Sequence, residues 1–132
     1  MLDRIDLHVE VTPVSIEELS RYENESENSA MIRERVIQAR QLQEERFKDM
    51  PGIHSNTLMP SHLVRELCHI DAAGSALLKT AMKKLQLSAR AYDRILKVSR
   101  TIADLAGSKE IEIPHLAEAI HFRSLDREEW AG

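Results

Sequence analysis

A chain of 132 residues carries one core of ordinary size, and nothing in it requires a second core. Apolar residues at 42% and charged residues at 30% exclude a disordered or membrane-embedded chain, and with aromatics at only 4% the core must be aliphatic, which favours helices. The net charge of −4 divides unevenly, −6 over residues 1–28 and +2 over residues 29–132, so a field that attracts phosphates is confined to the second part.

Ile5, Leu7, Val9 and Val11 alternate with Asp6, His8 and Glu10, a period of two that predicts a strand. No other run alternates as well, and a strand without a ladder partner is not stable alone. Residues 1–20 are therefore expected to be the tail of a sheet-containing core, with Pro13 ending the strand and Ser15 with Glu18 forming a capping box for a short helix holding Ile16 and Leu19. Residues 21–29 are polar, acidic and aperiodic, a hinge, and residues 30–132 read as a helical domain.

From about Glu27 to Met50 a helix places Ile32, Val36 and Ala39 on one stripe, with Phe47 farther on, until Met50-Pro51-Gly52 breaks it. Ile53 to Met59 reads as a loop. Pro60 suits the first turn of a helix with Leu63, Val64, Leu67 and Cys68. Cys68 is the only cysteine, which excludes an internal disulfide and a cysteine-based zinc cluster and leaves it as a small buried residue. Asp71 is the expected N-cap of the next helix, with Leu77, Leu78, Ala81, Met82 and Leu85. Ser88 caps another, whose stripe is Ile95, Val98, Ile102 and Leu105, with Gly107 as the left-handed residue beyond it. The last helix starts near Pro114 and buries Leu116, Ala117 and Ile120, leaving Ser124 to Gly132 as a frayed tail. The predicted fold is all-α, a bundle of about five helices preceded by one strand. No apolar run approaches the roughly 20 residues that cross a bilayer, and Met1 leads into charged residues, so a cytoplasmic chain without a membrane partner is expected.

Gly52, Gly74, Gly107 and Gly132 lack the Gly-x-x-x-x-Gly-Lys-Ser/Thr spacing of a phosphate loop, and no apolar strand ends in paired acidic residues to hold magnesium. The chain alone is therefore not expected to be an enzyme. Nor is a metal expected. His62 and His69 are seven apart, close to two helical turns, but the helix is expected to break near Ile70-Asp71 and a third convergent ligand is lacking, and His115 and His121 lie on different faces of one helix. Arg90 follows Ser88 into the first turn of its helix, where a cation opposes the helix dipole; this suits either a phosphate receptor or an uncommon but tolerated placement. Arg4, between Asp3 and Asp6, suits either an ion pair at a strand end or a side chain directed at a neighbouring subunit. Lys79, Lys83, Lys84, Arg90, Arg94, Lys97 and Arg100 face only Asp93, and form either a solvated face or a DNA-binding or oligomerisation module.

The run from Leu2 to Val11, the long run Leu87-Ser88-Ala89-Arg90 through Leu105, and the ending His115-Leu116-Ala117-Glu118-Ala119-Ile120 closely resemble the C-terminal part of bacterial Mg-chelatase-like AAA+ ATPases of the ComM (YifB) type. The resemblance covers nearly the whole chain. It implies a lid domain, with Arg4 as an arginine finger on a neighbour's nucleotide and Arg90 as the sensor 2 residue near the γ-phosphate. It also implies an upstream core that holds ATP and Mg2+, a homo-oligomeric, hexameric ring, and DNA as a partner in natural transformation. No cofactor is expected in the chain itself.

Overall fold

The computed structural model describes residues 28–130 together with Leu7, with side chains described up to Arg123. The predicted strand (Leu7 apart), the short helix after it, most of the hinge, and Arg4 lie outside the described residues. Five α-helices are present among the described residues: α1 (Ser29–Arg46), α2 (Ser61–Leu67), α3 (Ala72–Leu85), α4 (Ala89–Leu105) and α5 (Ile113–Trp130). A short 3-10 turn (Asn56–Leu58) lies in the segment expected to be a loop. The architecture is the expected all-α bundle. None of these helices is long and apolar enough to cross a membrane.

The helix starts follow local chemistry. Asn28 Oδ1 accepts from the Met31 N–H at 2.9 Å, Asp71 Oδ1 from Gly74 at 2.7 Å, and Ser88 Oγ from Ala91 at 3.2 Å. Each satisfies one of the amide groups that a helix N-terminus leaves without an intrahelical partner. At the far end of α4, Gly107 adopts φ +71°, and the Ser108 N–H donates back to Ala103 O at 2.8 Å, as a left-handed helix terminator requires. A Cβ at Gly107 would meet nothing within 4 Å, so Gly107→Ala is expected to cost only the backbone strain, roughly 1–2 kcal/mol in urea unfolding.

Helix α4 is the centre of the bundle, packing against α1, α2, the 3-10 turn and α5, while α3 packs on α5. Its buried positions are Ala91, Ile95, Leu96, Ser99, Arg100, Ala103 and Asp104, a double stripe at spacings of three to five that lets it contact neighbours on both sides. Around it the core takes Phe47, Met59 and Val64 on one side and Leu78, Leu116 and Ala119 on the other. Cys68 is buried as expected, and burial pushes its thiol up to about 11, which makes it inert.

Several predicted faces are corrected. Helix α1 ends at Arg46 rather than Met50, because Phe47 leaves the helix to enter the core and residues 47–50 form turns. Of its expected stripe only Ala39 is buried; Ile32 and Val36 are 46% and 38% exposed, because the bundle touches only the second half of α1. On α4, Leu105 is exposed, and the positions expected to be apolar are rotated in favour of Arg100 and Asp104. On α5, Ala119 rather than Ala117 is buried, and the helix runs to Trp130 through the expected tail, since nothing in residues 124–130 breaks it.

Candidate functional site

The start of α4 is set by the turn that precedes it. Gln86 closes α3 in the left-handed conformation, φ 52°, and the Leu87 N–H reaches back to Met82 O at 3.1 Å. Leu87 packs against the core, so the chain reverses within a few residues and Ser88 enters α4 in an extended conformation. Arg90 is therefore the second residue of the helix, and it is exposed. The peptide dipoles direct partial positive charge toward this end, so the guanidinium adds to a field that already favours anions.

Arg90 lines a cleft of about 640 Å³ between α2, the end of α3 and the first turn of α4, shared with Ser61, Arg65, Met82, Tyr92 and Asp93. Ser61 Oγ donates to Asp93 Oδ2 at 2.7 Å, which ties α2 to α4 and occupies one oxygen of the carboxylate in the cleft. The cleft is lined by two guanidiniums, Arg65 and Arg90, and one carboxylate, Asp93.

The remainder of the basic run does not form one surface. Lys79, Lys83 and Lys84 are exposed on α3, Arg94 is half-buried, and Lys97 Nζ donates to Thr57 O at 3.0 Å. Arg100 is 4% exposed: Nε donates to Asp104 Oδ1 at 3.2 Å, while Nη1 and Nη2 donate to Lys109 O and Ser108 O at 2.9 and 2.7 Å. The expected opposition of this run to Asp93 alone is thus corrected, and Arg100 is not available to a groove facing DNA phosphates.

Sequence reasoning missed the partner of Arg100. Asp104 has no exposed side-chain surface and receives the Arg46 guanidinium as a fork, Nη2 to Oδ1 at 2.7 Å and Nη1 to Oδ2 at 2.9 Å. Asn56 Nδ2 adds 3.0 Å bonds to Asp104 Oδ2 and Thr101 Oγ1, and the Asn56 N–H donates to Gln43 Oε1. Burial alone would raise the Asp104 pKa, but the hydrogen bonds from Arg46 and Asn56, with the charges of Arg46 and Arg100, outweigh it and hold the carboxyl below its ordinary value. The signal available in the sequence was the pair Arg100 and Asp104, four apart on the same helix. This network joins α1 to α4; with its donors and acceptors matched, it is a fastening and offers no reactive group.

His115 is buried and accepts the Glu112 N–H on Nδ1 at 3.0 Å, closing the start of α5. His62 and His69 are exposed, and no group of three potential ligands for a metal ion occurs among the described residues.

Residues 26–123 match the family described as magnesium chelatase, subunit ChlI C-terminal. The chain belongs to this family. It is 41% identical over 126 residues to "Competence protein ComM" of Haemophilus influenzae, covering 96% of this chain and 24% of that protein. It is 36% identical over 126 residues to "Uncharacterized protein YifB" of Escherichia coli, again 96% and 24%, and 32% identical over 123 residues to "Uncharacterized protein Rv2897c" of Mycobacterium tuberculosis, 93% and 24%. The chain thus spans about a quarter of the length of these relatives. All five helices begin inside the stretch that matches the magnesium-chelatase C-terminal family, as do Arg90, its cleft and the Asp104 network; Arg4 precedes it.

Proposed function

We propose that this magnesium-chelatase C-terminal domain is the lid of a longer Mg-chelatase-like AAA+ ATPase, closing over ATP held by an upstream core. The observation that carries the reading is the placement of Arg90: exposed, in the first turn of α4, on a cleft it shares with Arg65, inside the family domain. At that helix end the dipole disfavours a cation by a few tenths of a kcal/mol. A terminal phosphate nearby accounts for one there, and Arg90 is assigned the sensor 2 role. The cleft suits phosphate oxygens. It does not suit Mg2+, because its one carboxylate is already engaged by Ser61, so the metal belongs with the core. ATP bound there supplies the phosphoryl group; Arg90 donates to oxygens whose charge grows in the transition state.

Arg4 is assigned as the arginine finger directed at a neighbouring subunit of a homo-oligomeric ring, a hexamer by the resemblance. The competence role named for the Haemophilus relative supports DNA processing in natural transformation as the work of that ring. The alternative, a DNA-binding or oligomerisation module, keeps Lys79, Lys83 and Lys84 but loses Arg100 to the core, and is the weaker reading.

Mixed rings test the assembly. Subunits with Arg4→Ala and subunits unable to bind ATP are each expected to be inactive, and mixing them should restore a measurable part of ATP hydrolysis, because intact fingers then meet intact nucleotide sites. Mixtures as inactive as the two parents would remove the finger assignment. The lid assignment itself rests on the turnover of Arg90→Ala.

A further inference from the structure

Residues 28–38 are all exposed, although helix α1 begins at Ser29. Of the nine large apolar residues exposed among the described residues, four lie in this short stretch: Met31, Ile32, Val36 and Ile37. Ile32 and Val36 stand seven and three positions before Ala39, so they prolong the stripe by which Ala39 and Gln43 face the bundle. The bundle has ended by then. Gln38 and Leu42 border a cavity of about 400 Å³ with Asp104 and Gly107, the last turn of α4 and its terminator. The first half of α1 thus projects past the Gly107 end of α4, the end opposite Arg90, with its packing face uncovered.

The chain itself brings a cover to this place. Residues 1–27 lead directly into the Asn28 cap, and the nearest aliphatic residues upstream are Val14, Ile16 and Leu19. Leu19 is nine positions before Asn28, a reach of up to about 30 Å, whereas the exposed half of α1 is only about 15 Å long. Leu19 can therefore meet any point of that half, and the tether holds it there at an effective concentration on the order of millimolar. Charge favours the same occupant. Residues 17–27 carry five glutamates and one arginine, while residues 29–40 carry three arginines and one glutamate. A second copy in a symmetric pair would instead set this basic helix against itself. We infer that residues 14–19 dock on the face of α1 that holds Ile32 and Val36, with Val14, Ile16 and Leu19 making the apolar contacts. This goes beyond the lid reading and does not depend on it. Its consequence is mechanical: the segment before the hinge and α1 move as one body, and Arg46 at the far end of α1 passes the movement to Asp104 of α4.

Amide hydrogen exchange on the 132-residue chain reads the docking from both sides. Val14→Gln, Ile16→Gln and Leu19→Gln together are expected to speed exchange of residues 32–38 about tenfold while leaving that of α4 unchanged. Ile32→Gln with Val36→Gln, which preserves helix propensity, should in turn speed exchange of residues 14–19 by a similar factor, again with α4 unchanged. Exchange at residues 32–38 that is unaltered in the triple variant, or at residues 14–19 in the double variant, overturns the proposal. So does protection of residues 32–38 that survives the triple substitution and rises with protein concentration, which would put a second copy on this face.

Discussion

Asp104→Asn is expected to destabilise the domain by about 3–5 kcal/mol, the usual consequence of removing one member of a buried charged network and leaving the other uncompensated. The asparagine oxygen still accepts one hydrogen bond, but its amide group then points at a guanidinium, and Arg46 and Arg100 lose the carboxylate they share. Arg46 retains some solvent contact, at 18% side-chain exposure against 5% for Arg100, so most of the penalty falls on Arg100. Set against the 5–15 kcal/mol that typically holds a domain folded, such a loss is large. Urea unfolding should show a lowered midpoint with an unchanged slope.

The same residue sets an acid dependence. Because its native pKa lies below the ordinary carboxylate value, the unfolded chain binds this proton more readily than the native chain. The stabilisation is therefore complete above the unfolded value of about 3.9 and is lost as pH falls through the depressed native value. Wild-type stability should drop more steeply than that of Asp104→Asn below about pH 4, and the two curves should run parallel above it. Parallel curves throughout the acid range would show that the network contributes nothing through ionisation.

The second large effect is catalytic. In the full-length ATPase, Arg90→Ala is expected to lower kcat by about 10²–10³-fold, the range for losing one preorganised donor to developing charge, with kcat/KM falling in proportion. The fold should be untouched: Arg90 is exposed, and the Ser88 to Ala91 cap that starts α4 does not involve its side chain. Wild-type turnover in this variant would refute the sensor assignment, and a lower melting temperature would assign Arg90 to the fold instead. Stability and activity are thus expected to come apart at the two ends of one helix.

Those two ends also mark the division between what was legible in the chain and what was not. Asp71, Ser88 and Gly107 act on backbone groups three to five positions away, so the boundaries they set, the number of helices and the place of Arg90 in a first turn follow from the sequence alone. The burial of Arg100 and Asp104 does not. A charge enters a core only when its partner arrives there, and the partners here, Arg46 and Asn56, are 58 and 48 positions from Asp104. The periodicity of α1 likewise reports that Ile32 and Val36 share a stripe with Ala39, but only the packing decides that Ala39 alone meets the bundle. The pairing of Arg65 with Arg90 in one cleft belongs to the same class. Capping is local and is determined by the sequence itself; which charges are buried, paired or left facing a cleft is decided by contacts between distant segments, and these exist only once the helices have packed.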